Sequence, residues 1–189
     1  MNTTDNAVMA EVSAGRVSQL AVLFERYHRA LFRYFVSMNS GREQAEDLVQ
    51  DVFFRMLRYR ESYDPAQSFT AWMYQIARNA GVDQVRKRMP AEVVDIDLLL
   101  EKRTELVSTV PGPEESASRG QDLALLRRAM GQLPADKREI LVLSRFQGMK
   151  YEDIAEVLGC EVGTVKVRVY RAIRALEQIY FTLEKEKAS

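Results

Sequence analysis

Residues 148–176 read GMKYEDIAEVLGCEVGTVKVRVYRAIRAL. The spacing predicts a short helix over 150–158, a turn at Gly159 that suits the left-handed residue after a helix end, and a second helix over 162–182. Ile154, Ala155 and Leu158 fall on the inner side of the first helix, and Val165, Val169, Ala172 and Leu176 on the inner side of the second. Ala155 is small where the two must cross. Between Gly163 and Leu176 there are four basic residues (Lys166, Arg168, Arg171, Arg174) and no acidic one. A helix charged on one side only is expected beside something negative. A helix-turn-helix reading DNA meets that demand: Gly163 and Thr164 open the second helix, where free amides and the dipole hold a phosphate. Lys166, Val167, Tyr170, Arg171 and Arg174 then point outward, with Arg suited to a bidentate guanine contact. The bland alternative is a solvated basic amphipathic helix.

Outward from this stretch, helical spacing continues and strand signals are absent: no sustained alternation of period two and no Asn-Gly or Asp-Gly turn. Further helices are expected over 17–37, from about Gly41, from about Phe69 to before Pro90, and over 121–132 and 136–146. Ser40, three residues before Glu43, has the spacing of a capping box for the second of these. Three of the five prolines (Pro90, Pro111, Pro113) lie between 90 and 120, a linker composition. The chain therefore reads as all-α: a small helical domain over 1–89, a flexible linker over 90–120 and a second small helical domain over 121–189.

The formal net charge is zero, which at first argues against a nucleic-acid partner. Its distribution removes the objection. Residues 1–89 hold 12 basic and 10 acidic residues, residues 90–120 hold 3 and 7, and residues 121–189 hold 12 and 10. Two mildly basic halves are joined by an acidic strap. If flexible, its 31 residues would separate their ends by roughly 30 Å.

Several functions are excluded or disfavoured. The apolar runs are far too short to span a membrane, and the N-terminus has no secretory signal pattern. One cysteine (Cys160) and one histidine (His28) give no internal disulfide, no zinc cluster and no nucleophile–base set. No cofactor and no enzymatic activity are expected, and the cytoplasm is the expected compartment.

Two more faces stand out. On the helix from Gly41, Ala45, Leu48, Val49, Val52, Phe53, Met56 and Leu57 form an apolar stripe. Opposite it lie Asp47, Gln50, Asp51, Phe54 and Arg58. An aromatic among carboxylates and an amide suits a protein-binding surface; an ordinary polar face with one stray Phe fits equally well. On the helix from Phe69, Arg78, Asn79, Val82 and Arg86 fall away from the Trp72/Ile76 stripe, and Lys87 and Arg88 extend the charge. With Tyr59, Tyr63 and Tyr74 nearby, such a face suits single-stranded nucleic acid, and the loop at 64–69 suits a pocket for an extruded base. The alternative is that Trp72 and the tyrosines pack in the core.

AEDLVQDVFFRML (45–57), FTAWMYQIARNAGVDQVRKR (69–88) and LPADKREILVLSRFQGMKYEDIAEVLGCEVGTVKVRVYRAIRAL (133–176), in this order and at these gaps, resemble the bacterial RNA polymerase sigma factors of the extracytoplasmic-function class. The resemblance runs from about Leu20 to Tyr180. It implies that Asp47, Gln50, Asp51 and Phe54 meet the β′ clamp of core RNA polymerase, with the β flap as a second polymerase contact. It implies that Tyr63, Arg78, Asn79, Arg86, Lys87 and Arg88 serve minus-ten recognition and melting. Gly163, Thr164, Lys166, Arg168, Tyr170, Arg171 and Arg174 match the minus-thirty-five reader. An anti-sigma factor is an expected partner. Asp51 stands where many members carry Glu, and Val167 where many carry Ser or Arg. The short tail after Tyr180 implies no appended C-terminal domain. Two other classes remain to be distinguished: a two-domain helix-turn-helix regulator acting without being a polymerase subunit, and a helical adaptor that binds only protein.

Overall fold

The computed structural model describes residues 4–88 and 117–188, and among them every regular element is helical. Most of the expected linker over 90–120 lies outside the described residues. The N-terminal half contains α1 (Asp5–Ser13), α2 (Leu20–Ser37), α3 (Arg42–Arg58) and α4 (Phe69–Arg88); the C-terminal half contains α5 (Ala117–Gln132), α6 (Ala135–Leu141), α7 (Tyr151–Leu158) and α8 (Val162–Ala188).

In the first half α2, α3 and α4 pack side by side and α1 lies across their end. The stripe expected on α3 is the buried one: Ala45, Leu48, Val49, Val52, Phe53 and Met56 are all in the core. Arg55 ties α3 to α4, its Nε donating to Asp51 at 3.0 Å and its Nη1 to Asp83 at 2.7 Å. The capping box does not form. Asn39 takes φ +64° to end α2, Ser40 is drawn into the core, and the helix starts one residue later, at Arg42, with Gly41 in the cap position and no side-chain cap. Once the αL turn has pulled Ser40 inward, its hydroxyl is not the cap of α3.

α1 was not foreseen. Thr4 caps it, accepting from the Ala7 amide at 3.3 Å, and Val8, Met9 and Val12 bury its inner side. Asp5 pins it to α2 through Arg26 at 2.6 Å and through the Tyr27 hydroxyl. Burial, and then the bond to Asp5, push the Tyr27 hydroxyl up to about 12.

In the second half α6 and α7 pack on α8, whose far end runs back along α5. Gly159 adopts φ +61° after α7, a conformation that costs a residue with a Cβ about 1 kcal/mol or more. The Cys160 amide then closes back onto the Ala155 carbonyl at 3.0 Å. The helix expected over 136–146 is divided. α6 gives way at Val142 to one π-helical turn (Val142–Phe146), closed by the Gln147 amide on the Val142 carbonyl at 2.9 Å. The extra residue in the turn redirects Gln147 toward the first half.

The two halves form one body. A continuous apolar cluster includes Tyr34, Tyr74 and Ile76 from the first half and Ile140, Leu143 and Ile154 from the second. Polar groups fix the seam. Tyr34 Oη donates to Glu139 Oε1 at 3.0 Å, Arg78 Nε to Glu139 Oε2 at 3.2 Å, and Tyr74 Oη to Gln147 Oε1 at 2.9 Å. Gln75 Nε2 reaches the Glu156 carbonyl at 2.9 Å, and Gln147 Nε2 the Ala30 carbonyl at 3.4 Å.

Arg138 is fully buried. Its guanidinium donates to the carbonyls of Met130 (2.8 Å), Gly131 (2.8 Å) and Leu133 (2.7 Å), gathering carbonyls at and just beyond the end of α5. Arg138→Ala should destabilise the protein by about 3 kcal/mol, because three carbonyls lose a charged donor together and a buried side chain leaves a cavity. Arg138→Lys should recover little, since one ammonium cannot reproduce the planar fork. Urea unfolding of the three proteins checks both; equal midpoints for Arg138→Lys and wild type would refute the geometric account.

Candidate functional site

Three surfaces on this frame correspond to the residues singled out in the sequence. The first is the outer side of α3. Its buried stripe leaves Asp47, Gln50, Phe54 and Arg58 outside, with Phe54 64% exposed. Asp51 is half-buried and held by Arg55. The face is therefore rigid at its centre, carries a large apolar group in water, and is flanked by carboxylates. That is the composition of a protein-binding hot spot.

The second surface is the loop before α4 together with α4 itself, and the structure divides the expected residues. Asn79, Arg86 and Lys87 are exposed. Arg78 is engaged by Glu139, and Val82 is buried against Ala135 of the second half. The side chain of Arg88 lies outside the described residues. Tyr63 is 5% exposed, its ring 5.0 Å from that of Trp72 and 6.4 Å from that of Phe69. Burial, with Asp64 and Asp5 nearby, pushes its hydroxyl up to about 12. Tyr74 is also buried, with edge-on packing against Tyr34, and burial raises its hydroxyl further. In this conformation Tyr63 and Tyr74 are floor and core, and Tyr59 alone of the three tyrosines offers a ring to solvent.

What remains outside is the loop itself. Asp64, Pro65, Ala66 and Gln67 are exposed above the Tyr63–Phe69–Trp72 aromatic layer. Asp64 Oδ1 accepts from the Ala66 amide at 2.9 Å, and the Gln67 amide returns to the Asp64 carbonyl at 3.0 Å. This small Asx-type turn gives the loop a fixed shape. Sequence reasoning placed the loop but missed what holds it from behind, the side chain of Asn6 on α1.

The third surface is the first half of α8. Val165, Val169 and Ala172 are buried against α7, as their spacing requires. Gly163, Lys166, Val167, Arg168, Tyr170, Arg171 and Arg174 are exposed and Thr164 is half-buried. Tyr170 and Val167, at 61% and 47%, are large apolar groups on a cationic face. Arg174 lies over the Tyr170 ring, 5.6 Å from its centroid, and pairs with Glu177 at 3.1 Å. Arg171, one residue after Tyr170, is exposed with no acidic side chain in its turn. The arrangement fits an anion that is long, regular and partly apolar at its edges, as a DNA groove is.

Among the described residues no group of three His, Cys, Asp or Glu side chains gathers as a metal site, and no helix is long and apolar enough to cross a membrane. His28 stacks on Phe24, ring centroids 4.9 Å apart, on the outside of α2.

Comparison with known proteins places the chain in a family. A family model described as Sigma-70 region 2 matches residues 23–90, and one described as Sigma-70, region 4 matches residues 123–176. The ECF RNA polymerase sigma factor EcfG of Rhodopseudomonas palustris is 34% identical over 152 residues, covering 80% of each chain. The solved structure of CnrH in complex with the cytosolic domain of CnrY shares the fold, with a TM-score of 0.71 at 24% identity over 94% of this chain and 97% of that one. The sigma factor RpoE in complex with the anti-sigma factor NepR, from Bartonella quintana, matches with a TM-score of 0.62 at 30% identity, covering 84% and 94%. The polar face of α3, the loop ahead of α4 and the cationic start of α8 all lie within the matched segments, and the chain belongs to the ECF class of RNA polymerase sigma factors.

Proposed function

We propose that this sigma factor divides its work among the three surfaces. The outer face of α3, through Asp47, Gln50, Asp51 and Phe54, docks on the β′ clamp of core polymerase. The loop at 64–68, with Asn79, Arg86 and Lys87, takes the melted strand of the minus-ten element, and Arg78 joins it when Glu139 lets go. The start of α8 reads the minus-thirty-five duplex, and the second half meets the β flap. The observation that carries this reading is the sidedness of α8, where every cation of the first four turns is in solvent and every inward residue is apolar. A regulator that binds DNA alone would need a dimer interface to gain affinity. A pair of weakly basic halves gains it instead when polymerase holds both at once.

The protein acts by binding; polymerase itself makes the phosphodiester bonds. The cytoplasm is where its partners are. The packed arrangement of the two halves is a resting state, because α6 covers Arg78 and Val82 on α4. Polymerase must separate the halves, and a partner that favours the packed body would hold the factor back. An anti-sigma factor like the one bound to the Bartonella quintana RpoE suits that role.

A run-off assay with purified core polymerase and promoter DNA tests the whole reading. Loss of the Arg171 head group in Arg171→Ala should cost about 1–3 kcal/mol of upstream-element recognition. It should leave transcription from a template lacking that element unchanged. Phe54→Ala should weaken capture of core polymerase by about 2 kcal/mol with promoter preference unaltered, as measured by fluorescence titration. Glu139→Ala removes the acceptor for both Tyr34 and Arg78 and should weaken the seam by about 2 kcal/mol. The free protein should then show a larger radius of gyration in small-angle scattering; an unchanged value would mean that the seam does not hold the halves together in solution.

A further inference from the structure

Asn6 on α1 reaches the exposed loop, and it uses all its hydrogen-bonding directions but one. Its Nδ2 donates to the Pro65 carbonyl at 3.2 Å and to the Gln67 carbonyl at 2.8 Å, while its Oδ1 accepts from the Phe69 amide at 3.1 Å. The amide orientation is unambiguous, because the reverse would set an oxygen against two carbonyls and an NH2 against an N–H. The three partners bracket the loop: two lie in its exposed turn and the third is the first amide of α4, a donor that the helix itself cannot satisfy. At the same end Ser68 Oγ accepts from the Ala71 amide at 3.4 Å, and at the other end of the loop Tyr63 is locked in the aromatic layer.

Asn6 is itself held. Thr4 caps its helix, and Asp5, the residue before it, is fixed to Arg26 and Tyr27. A rigid amide bolted to α2 thus sets the path of residues 65–69, about sixty positions later in the chain. The outward side chains of the loop remain free for a ligand. We infer that Asn6 is a positioning residue for minus-ten recognition: it fixes the backbone of the loop in the shape that accepts one extruded base and refuses the others. The inference rests on the reading of residues 64–68 as the base-capturing loop. Asn6 touches no DNA in this scheme; it acts through the Pro65 and Gln67 carbonyls and the Phe69 amide.

The test uses the full chain with core polymerase and a library of duplex promoters randomised across the minus-ten element, the productive templates being read by sequencing the transcripts. Asn6→Ala should flatten the base preference at one position by about 3- to 10-fold, the effect of losing one or two net hydrogen bonds. Preferences elsewhere in the element and affinity for core polymerase should stay as in wild type, with the thermal midpoint lowered only by the few degrees that one or two net hydrogen bonds cost. A loop variant combining Asp64→Gly, Ala66→Gly and Gln67→Gly serves as the reference. If the loop variant flattens that position and Asn6→Ala does not, the role of Asn6 is refuted while the loop reading stands. If neither variant changes any preference, the loop reading fails and takes the inference with it. A uniform loss across all templates, or a fall in polymerase affinity or thermal midpoint that accounts for the loss, would make Asn6 merely structural and also refute the inference.

Discussion

Glu139 is 2% exposed, and no buried carboxylate is tolerated without partners. Tyr34 of α2 and Arg78 of α4 provide them, one bond to each oxygen. Removing a charge from water costs several kcal/mol, so the bonds must form together or the charge must return to solvent. The contacts at the seam are therefore expected to form or break together. That constraint decides which part of α4 the protein shows. With Glu139 in place, Arg78 and Val82 are covered while Asn79, Arg86 and Lys87 stay in water. The π-helical turn belongs to the same device: by inserting one residue after α6 it swings Gln147 onto Tyr74 and the Ala30 carbonyl.

The second half solves a different problem. α8 must be buried on one side to be rigid and bare on the other to be read. Val165, Val169 and Ala172 lock it onto α7, and the αL residue at Gly159 sets how the two helices approach. Arg138 completes the support by closing the end of α5 against α6. They hold the cationic side steady, which matters for the proposed DNA reading because a base contact is discriminating only when its donor is already in position.

The legible parts of the sequence were those in which one local pattern dominates. The 3-and-1 spacing of α3, the Gly159 turn and the one-sided charge of α8 each settle an element without reference to the rest of the chain. The illegible parts depended on residues far away. Ser40 and Glu43 have capping-box spacing, but the turn at Asn39 draws Ser40 into the core. Tyr74 has the look of a stacking platform only while Tyr34, about forty residues earlier, and Gln147, about seventy later, are ignored. Arg78 was visible as a cation but not as the partner of a buried acid in the other half. α1 left a weak signal, since nine residues hold too few turns for periodicity to stand out; Thr4 followed by Asp5, with Val8, Met9 and Val12 behind, was the trace it left.

Magnitudes decide how the seam and the surfaces work together. The side-chain hydrogen bonds across the seam contribute roughly 1 kcal/mol each after exchange with water, on the order of 5 kcal/mol together, with some apolar burial besides. A nanomolar docking partner supplies about 12 kcal/mol. On the proposed reading, a polymerase that binds at that strength could pull the halves apart and still bind tightly, whereas duplex DNA meeting one weakly basic half at physiological salt, where non-specific affinities are only about 10⁻⁴ to 10⁻⁶ M, would have far less to spare. The neutral total charge fits the same proposal. A strongly basic chain would bind DNA before polymerase, while two halves of small positive charge joined by an acidic strap would gain affinity only when polymerase holds both.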